Sequence, residues 1–170
     1  MPLQHKTMGR PRDFGLRDFG GLILFLALCF AVSGISHVVT ADSVGTWYAA
    51  LNKPSFNPPN WIFAPVWTSL YAMMAVAAWR VWRAGGLEQA AGSLTLFGVQ
   101  LLLNFLWSMI FFGVHRIGYA LAEIIVFLAA VIATMCAFWR HDRLAGWLFV
   151  PYAAWVSFAT LLNFAFWRLN

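Results

Sequence analysis

The sequence predicts an all-α integral membrane protein: a bundle of five transmembrane helices with a proline-rich lid loop between helices 1 and 2. Three observations predict it. Of 170 residues, 62% are hydrophobic and only 10% charged, against about 25% charged in a soluble domain. Five apolar runs are each long enough to cross about 30 Å of hydrocarbon as a helix. Lysine and arginine gather at the ends of those runs, which speaks of topology and acidic lipid rather than nucleic acid. No basic helix or RNA-type motif is present, so no nucleic-acid partner is expected.

Residues 1–18 read as a basic N-terminal extension, with Lys6, Arg10, Arg12 and Arg17, ahead of a five-helix membrane domain over 19–170. With the apolar run after them, they imitate a signal peptide. The run is too long, and no small-residue cleavage site with a polar start comes after it, so it is expected to be a retained first span. That span lies near 19–40, "FGGLILFLALCFAVSGISHVVT", where Ser33, Gly34 and His37 make a small and polar stripe toward its end. The loop after it, "NKPSFNPPNW" over 52–61, holds Pro54, Pro58 and Pro59. Proline fixes its own φ and biases the residue before it toward extended backbone, so the segment loses little entropy on ordering. Flanked by Trp47, Tyr48, Phe56 and Trp61, it reads as a pre-ordered lid with Lys53 as the loop cation able to meet an anionic group. A connector that merely starts the next helix, with Pro59 near its first turn, is the plainer alternative.

The second span lies near 61–83, with Trp67, Tyr71 and Met74 on one face. The third lies near 92–113, and puts Gln100, Asn104, Trp107 and Ser108 at i, i+4, i+7 and i+8. The fourth lies near 119–139 and contains Glu123, expected to snorkel to the interface. The fifth lies near 144–168, with Tyr152, Trp155, Ala159 and Asn163 on one face. The links "VHRIG" and "RHDR" are short enough to force antiparallel neighbours. Arg80, Arg83, Arg140 and Arg143 fall on the same side as the basic extension, whereas the other side has Lys53, Arg116 and Arg168. The positive-inside rule therefore puts the N-terminus on the cytoplasmic side and the proline-rich loop opposite, without saying which membrane.

Trp67, Asn104, Trp107, Tyr152 and Trp155 fall at one depth, in the half nearer the loop. Indoles, a phenol and a carboxamide converging there suggest a cavity for a flat, mostly apolar ligand. Asn and Gln also join membrane helices without any ligand, and Trp forms interfacial belts, the reading for Trp79, Trp82, Trp139, Trp147 and Trp167. His5, His37, His115 and His141 have no ligand spacing, so no metal site is expected. His37 reads as a packed, hydrogen-bonded residue, with axial haem ligation the alternative. Cys29 and Cys136 are expected to be unpaired. No membrane-embedded carboxylate marks the first span, which argues against a proton-coupled exporter.

The stretches "WYAALNKPSFNPPNWIFAPVW..LY", "Q.LLN.LW...FFG" and "PYAAW..FAT.LNF...RLN" resemble the TspO/translocator-protein family, the tryptophan-rich sensory proteins also called peripheral benzodiazepine receptors. The resemblance runs from about Trp47 to Asn170; the first span fits by length and position. It implies a five-helix protein, commonly a homodimer, that binds porphyrins and in many members sterols and synthetic isoquinoline ligands. The family's pocket positions fall on Tyr48, Pro59, Trp67, Asn104, Trp107, Trp155 and Ala159. Its small-xxx-small dimer contact is matched loosely by "GSLTLFG". The family's sterol motif needs a Tyr where this chain has Phe164, between Leu162 and Arg168. Loss of that hydroxyl removes a hydrogen bond worth about 1 kcal/mol, so weaker sterol binding is expected. The function implied is a membrane receptor or sensor for protoporphyrin IX or haem, held as ligand rather than obligatory cofactor. Two alternatives stand beside it: a light- and oxygen-dependent porphyrin-degrading enzyme, with Trp67 and Trp155 as its catalytic redox partners, and a porphyrin or sterol transporter. Against active transport, the chain has no inverted repeat and no coupling-ion site.

Overall fold

The computed structural model describes residues 15–170, and their regular structure is helical throughout. Helix α1 spans Leu16–Gly45. Its 30 residues make about 45 Å of helix, so it overruns the predicted limits at both ends. The expected extension over residues 1–18 lies mostly outside the described residues; its last three belong to α1. A single turn, α2 (Trp47–Ala50), and the proline-rich loop come next. A short 3-10 turn, Asn60–Ile62, then leads into α3, Phe63–Ser108.

Helix α3 is two spans in one. At Gly86 the backbone takes φ 66° and ψ −173°, a conformation open to glycine and strained for other residues. Tyr71 bonds to Asn104, 33 positions on, and Gln100 to Met74, 26 positions back. On a straight helix the first pair would stand about 50 Å apart. Both pairs centre next to Gly86, so α3 is an antiparallel hairpin of two limbs, 63–85 and 87–108. By sequence the link between the second and third spans covers 84–91. Only the glycine serves as the link, because Leu87, Glu88, Gln89 and Ala90 are good helix formers and restart the helix at once.

The second limb runs into a π-helical turn, Met109–Gly113. Helix α4 (Ile117–His141) and α5 (Arg143–Leu169) then pack antiparallel across a one-residue link. That residue, Asp142, caps α5 by accepting from Ala145 N at 2.9 Å, and accepts from Arg80 Nη2 at 2.7 Å and Nε at 3.2 Å. Partial burial works against its charge, but the Arg80 bonds, the Arg80 charge and the Ala145 and Leu144 amides outweigh it and hold the carboxyl below the usual range.

Helix α1 lies along the α3 hairpin, with Phe25 edge-on to Phe97 at 6.3 Å. A tightly packed phenylalanine layer lies at the hairpin end. There Phe97, Phe138 and Phe149 are fully or almost fully buried, with ring centroids 5.1–6.4 Å apart. Elsewhere the outer surface is apolar. In the span-length windows of the four continuous helices mean hydropathy is 1.5–2.5, yet only 11–33% of residues are buried within the protein. Such helices need lipid around them, and the protein is an integral membrane protein. Trp147 and Trp167 are exposed as interfacial residues are, whereas Trp79 is buried and donates to Asp18 O at 2.8 Å. The two cysteines are free, Cys29 buried and Cys136 exposed.

Glu123 departs from expectation. Both of its carboxyl oxygens are buried and have no hydrogen-bond partner. It does not snorkel: it lies in the second turn of α4, and its head is turned inward rather than along the helix to the interface.

Candidate ligand-binding cavity

A cavity of about 360 Å³ opens in the half of the bundle nearer the proline-rich loop, within the range of small-molecule sites. Each wall comes from helical phase. The first limb of α3 brings Trp67 and Tyr71, the second Asn104 and Trp107, the π turn Phe111 and Phe112, and α5 brings Trp155, Ala159 and Leu162. The π turn matters here, because a widened turn shifts the phase of the residues after it. It lets Phe111 stack on Trp107, with centroids 5.4 Å apart and planes at 25°. His37, Ala41, Ala64 and Thr68 line the cavity yet are exposed, so its mouth faces sideways between α1 and the first limb of α3.

The floor is a chain of hydrogen bonds that the sequence could not supply. Tyr71 O–H donates to Asn104 Oδ1, Asn104 Nδ2 donates to Tyr152 Oη at 3.3 Å, and Tyr152 O–H donates to Gln100 Oε1 at 2.9 Å. Gln100 Nε2 ends the chain on Met74 Sδ at 3.8 Å. A satisfied buried network of this kind fixes side chains and backbone together. Trp107 is held in the same way: its Nε1 donates to Asn163 Oδ1 at 3.1 Å, and Asn163 Nδ2 to Ile117 O at 3.0 Å. Trp107 therefore offers a ring to the cavity and no donor. Trp155 is the opposite case, since its buried Nε1 has no partner.

The proline-rich loop is tied down at Asn52 and at Asn57. Asn52 N donates to Asn170 Oδ1 at 2.9 Å, Asn52 Nδ2 to Leu169 O at 3.2 Å, and Asn170 Nδ2 to Asn52 O at 3.1 Å. Tyr48 O–H donates to Asn57 Oδ1 at 2.7 Å. Burial pushes the Tyr48 phenol up to about 12, with the Asn57 bond opposing, so it stays a neutral donor. Phe56 packs edge-on against Phe158 at 6.4 Å. At the opposite corner the left-handed His115 (φ 57°) stacks on Trp47 at 4.3 Å and shares a 3.1 Å hydrogen bond with Ser43.

Of the positions singled out in the sequence, Tyr48, Trp67, Asn104, Trp107, Trp155, Ala159 and Leu162 line the cavity. Pro59 and Lys53 do not. Lys53 is exposed, with its Nζ 4.9 Å from the Tyr48 ring centroid. Phe164 and Arg168 face away, into a separate shallow groove with Phe56 and Phe158. The stripe on α1 has a different phase from the one expected: Ser33, Ser36, His37 and Thr40 line the cavity, and Gly34 is exposed. Ser36 and Thr40 were missed, although their spacing from Ser33 (i+3, i+7) carried the signal. His37 is not packed and hydrogen-bonded as expected. It is exposed and makes no bond among the described residues. No three His, Cys, Asp or Glu side chains converge as metal ligands would among the described residues.

The sequence model of the TspO/MBR family matches residues 25–168, so the likeness reaches well into α1. A tryptophan-rich sensory protein of Cereibacter sphaeroides is 44% identical over 153 residues, 90% of this chain and 93% of that one. Protein CrtK of Rhodobacter capsulatus is 44% identical over 132 residues, 75% of this chain and 81% of its own. The translocator protein of Homo sapiens is 42% identical over 126 residues, 73% of this chain and 75% of its own.

Proposed function

The chain belongs to the TspO/MBR family, and from that premise we propose that it is a membrane receptor that binds a tetrapyrrole, protoporphyrin IX or haem, in the aromatic cavity. The observation that carries the reading is a hollow walled by the rings of Trp67, Trp107 and Trp155. A flat macrocycle buries the most area against such rings, stacked or edge-on. Its route in is the sideways mouth, which suits a ligand dissolved in lipid. The proline-rich loop acts as the lid, held shut by the Asn52–Asn170 bonds. With Phe164 and Arg168 in the separate groove, sterol binding is the weaker activity. A relative named as a sensory protein and another named as a translocator fit ligand capture at a membrane. The N-terminus lies on the cytoplasmic side, and the protein works as a homodimer.

The test is a titration of the purified protein with protoporphyrin IX, monitored by tryptophan fluorescence. Saturable quenching that weakens about tenfold or more in Trp107→Ala is expected from the loss of a buried indole contact. Quenching that never saturates and ignores that substitution would refute the reading.

A further inference from the structure

Hydrogen-bonding capacity around the cavity is unevenly spent. Among the lining side chains, Tyr48, Tyr71, Trp107 and Asn163 donate to protein partners. Thr40 donates to Ser36 O at 2.7 Å, Thr68 to Ala64 O at 2.8 Å and Ser108 to Asn104 O at 3.4 Å. Asn104 spends its oxygen and one N–H on the floor network. Apart from the exposed Asn60 carboxamide, which makes no bond among the described residues, the remaining capacity is concentrated on α1. Ser33 and His37 make no hydrogen bond among the described residues, and the Ser36 hydroxyl is buried without a partner. The nearest polar neighbour of the Ser36 hydroxyl is the Tyr71 phenol oxygen, whose own proton is directed to Asn104, so Ser36 receives no hydrogen bond from it. Across the cavity only the Trp155 N–H is likewise buried and unpartnered.

A buried hydroxyl without a full set of partners is unfavourable, as is a histidine exposed within a lipid-facing span. Ser33, Ser36 and His37 share one face of α1 at i, i+3 and i+4, so one ligand edge reaches all three. The lining contains no Asp, Glu, Lys or Arg, and His37 is its one group able to carry positive charge.

We infer that α1 is the specificity wall of the cavity: Ser33, Ser36 and His37 take the carboxylate-bearing edge of a flat ligand while the indoles opposite take its faces. The inference rests on the tetrapyrrole reading and adds which edge of the ring is recognised and by which residues. An acid is preferred to an amine, because the two hydroxyls and the imidazole can all present donors to a carboxylate, and the lining has no carboxylate to meet an ammonium group.

The experiment compares protoporphyrin IX, whose two carboxylates lie on one edge, with etioporphyrin, the same macrocycle bearing only alkyl groups. Both are titrated into the full chain in lipid nanodiscs, as wild type, Ser36→Ala and His37→Leu. His37→Leu removes no bond within the protein and Ser36→Ala removes only the contact with Tyr71, and a thermal melt of the unliganded protein checks that folding is retained. Protoporphyrin affinity is expected to fall about 5- to 10-fold in each variant, as for a lost hydrogen bond to a charged group. Etioporphyrin affinity stays within about twofold. Equal shifts for both porphyrins, or no shift for either, would overturn α1 as the specificity wall and leave the cavity as a porphyrin site. Failure of wild type to bind either porphyrin would overturn both readings.

Discussion

The two halves of this bundle use aromatic residues in opposite ways. At the hairpin end, phenylalanines interlock: Phe97, Phe138 and Phe149 leave at most 2% of their surface exposed, and polar clamps surround them. Arg80 pairs with Asp142 at 2.7 Å, and Ser93 with His141 at 3.0 Å. At the loop end, indoles stand around a hollow of about 360 Å³. Phenylalanine has no polar atom and can be buried on every side. An indole carries one N–H that must be anchored or left for something else. Trp107 is anchored on Asn163 and Trp155 is not. Of the rings that wall the hollow, Trp107 is thus fixed by the bond behind it, and Trp155 keeps a free N–H. The hollow's groups without partners mark where a ligand belongs.

That contrast can be broken most forcefully at the packed end. Phe138→Ala should lower stability by about 3–5 kcal/mol, as for other large core truncations, and appear as a large drop in the thermal midpoint with or without porphyrin. Trp107→Ala, at the hollow end, should cost far less stability but lose ligand. Comparable losses in the two variants would mean that the halves do not differ as described.

The floor of the hollow comes next. Tyr152→Phe leaves Asn104 Nδ2 and Gln100 Oε1 without their partner, a loss of about 1–3 kcal/mol. Unchanged unfolding would mean that the network does not hold the cavity.

Asp142 gives a smaller, pH-dependent effect. Its carboxyl is lowered in the folded state, so its contribution is complete above the unfolded value near 3.9 and is lost as pH falls through the folded one. Asp142→Ala should cost about 1–2 kcal/mol at neutral pH, from the lost cap and Arg80 bonds. The gap between variant and wild-type melts should close in acid; a gap that widens there would contradict the assignment.

The smallest effect is expected at Glu123, buried without a partner. Glu123→Gln should leave stability unchanged or raise it by up to about 1 kcal/mol. A clear loss in thermal unfolding would point to a partner that the described residues do not include.

Much of this was legible in the sequence. Apolar runs give spans because lipid demands them, and helical phase brought Trp67, Asn104, Trp107 and Trp155 to one depth before any contact was known. The remainder was not, for definite reasons. Gly86 could be read as loop but not as a whole turn, since the residues after it favour helix. "MIFFG" has no composition that marks a π turn, because its extra residue is set by packing. Spacing assigns a face but not a partner, so it could not separate the anchored Trp107 from the open Trp155. The stripe on α1 was misphased at Gly34, and Lys53 and Pro59 stayed outside the cavity because the loop's geometry depends on bonds to Asn170, 118 positions away.

The central claim is that the hollow itself is the binding site, and filling it tests that most directly. Ala159 lies on its wall, and Ala159→Phe would place a ring in the space. Thermal melts of wild type and variant should be run with and without protoporphyrin IX. If the hollow is the site, the unliganded variant melts no lower than wild type, and the ligand-induced rise of wild type is abolished in it. A variant that gains as much from protoporphyrin as wild type does would contradict the claim.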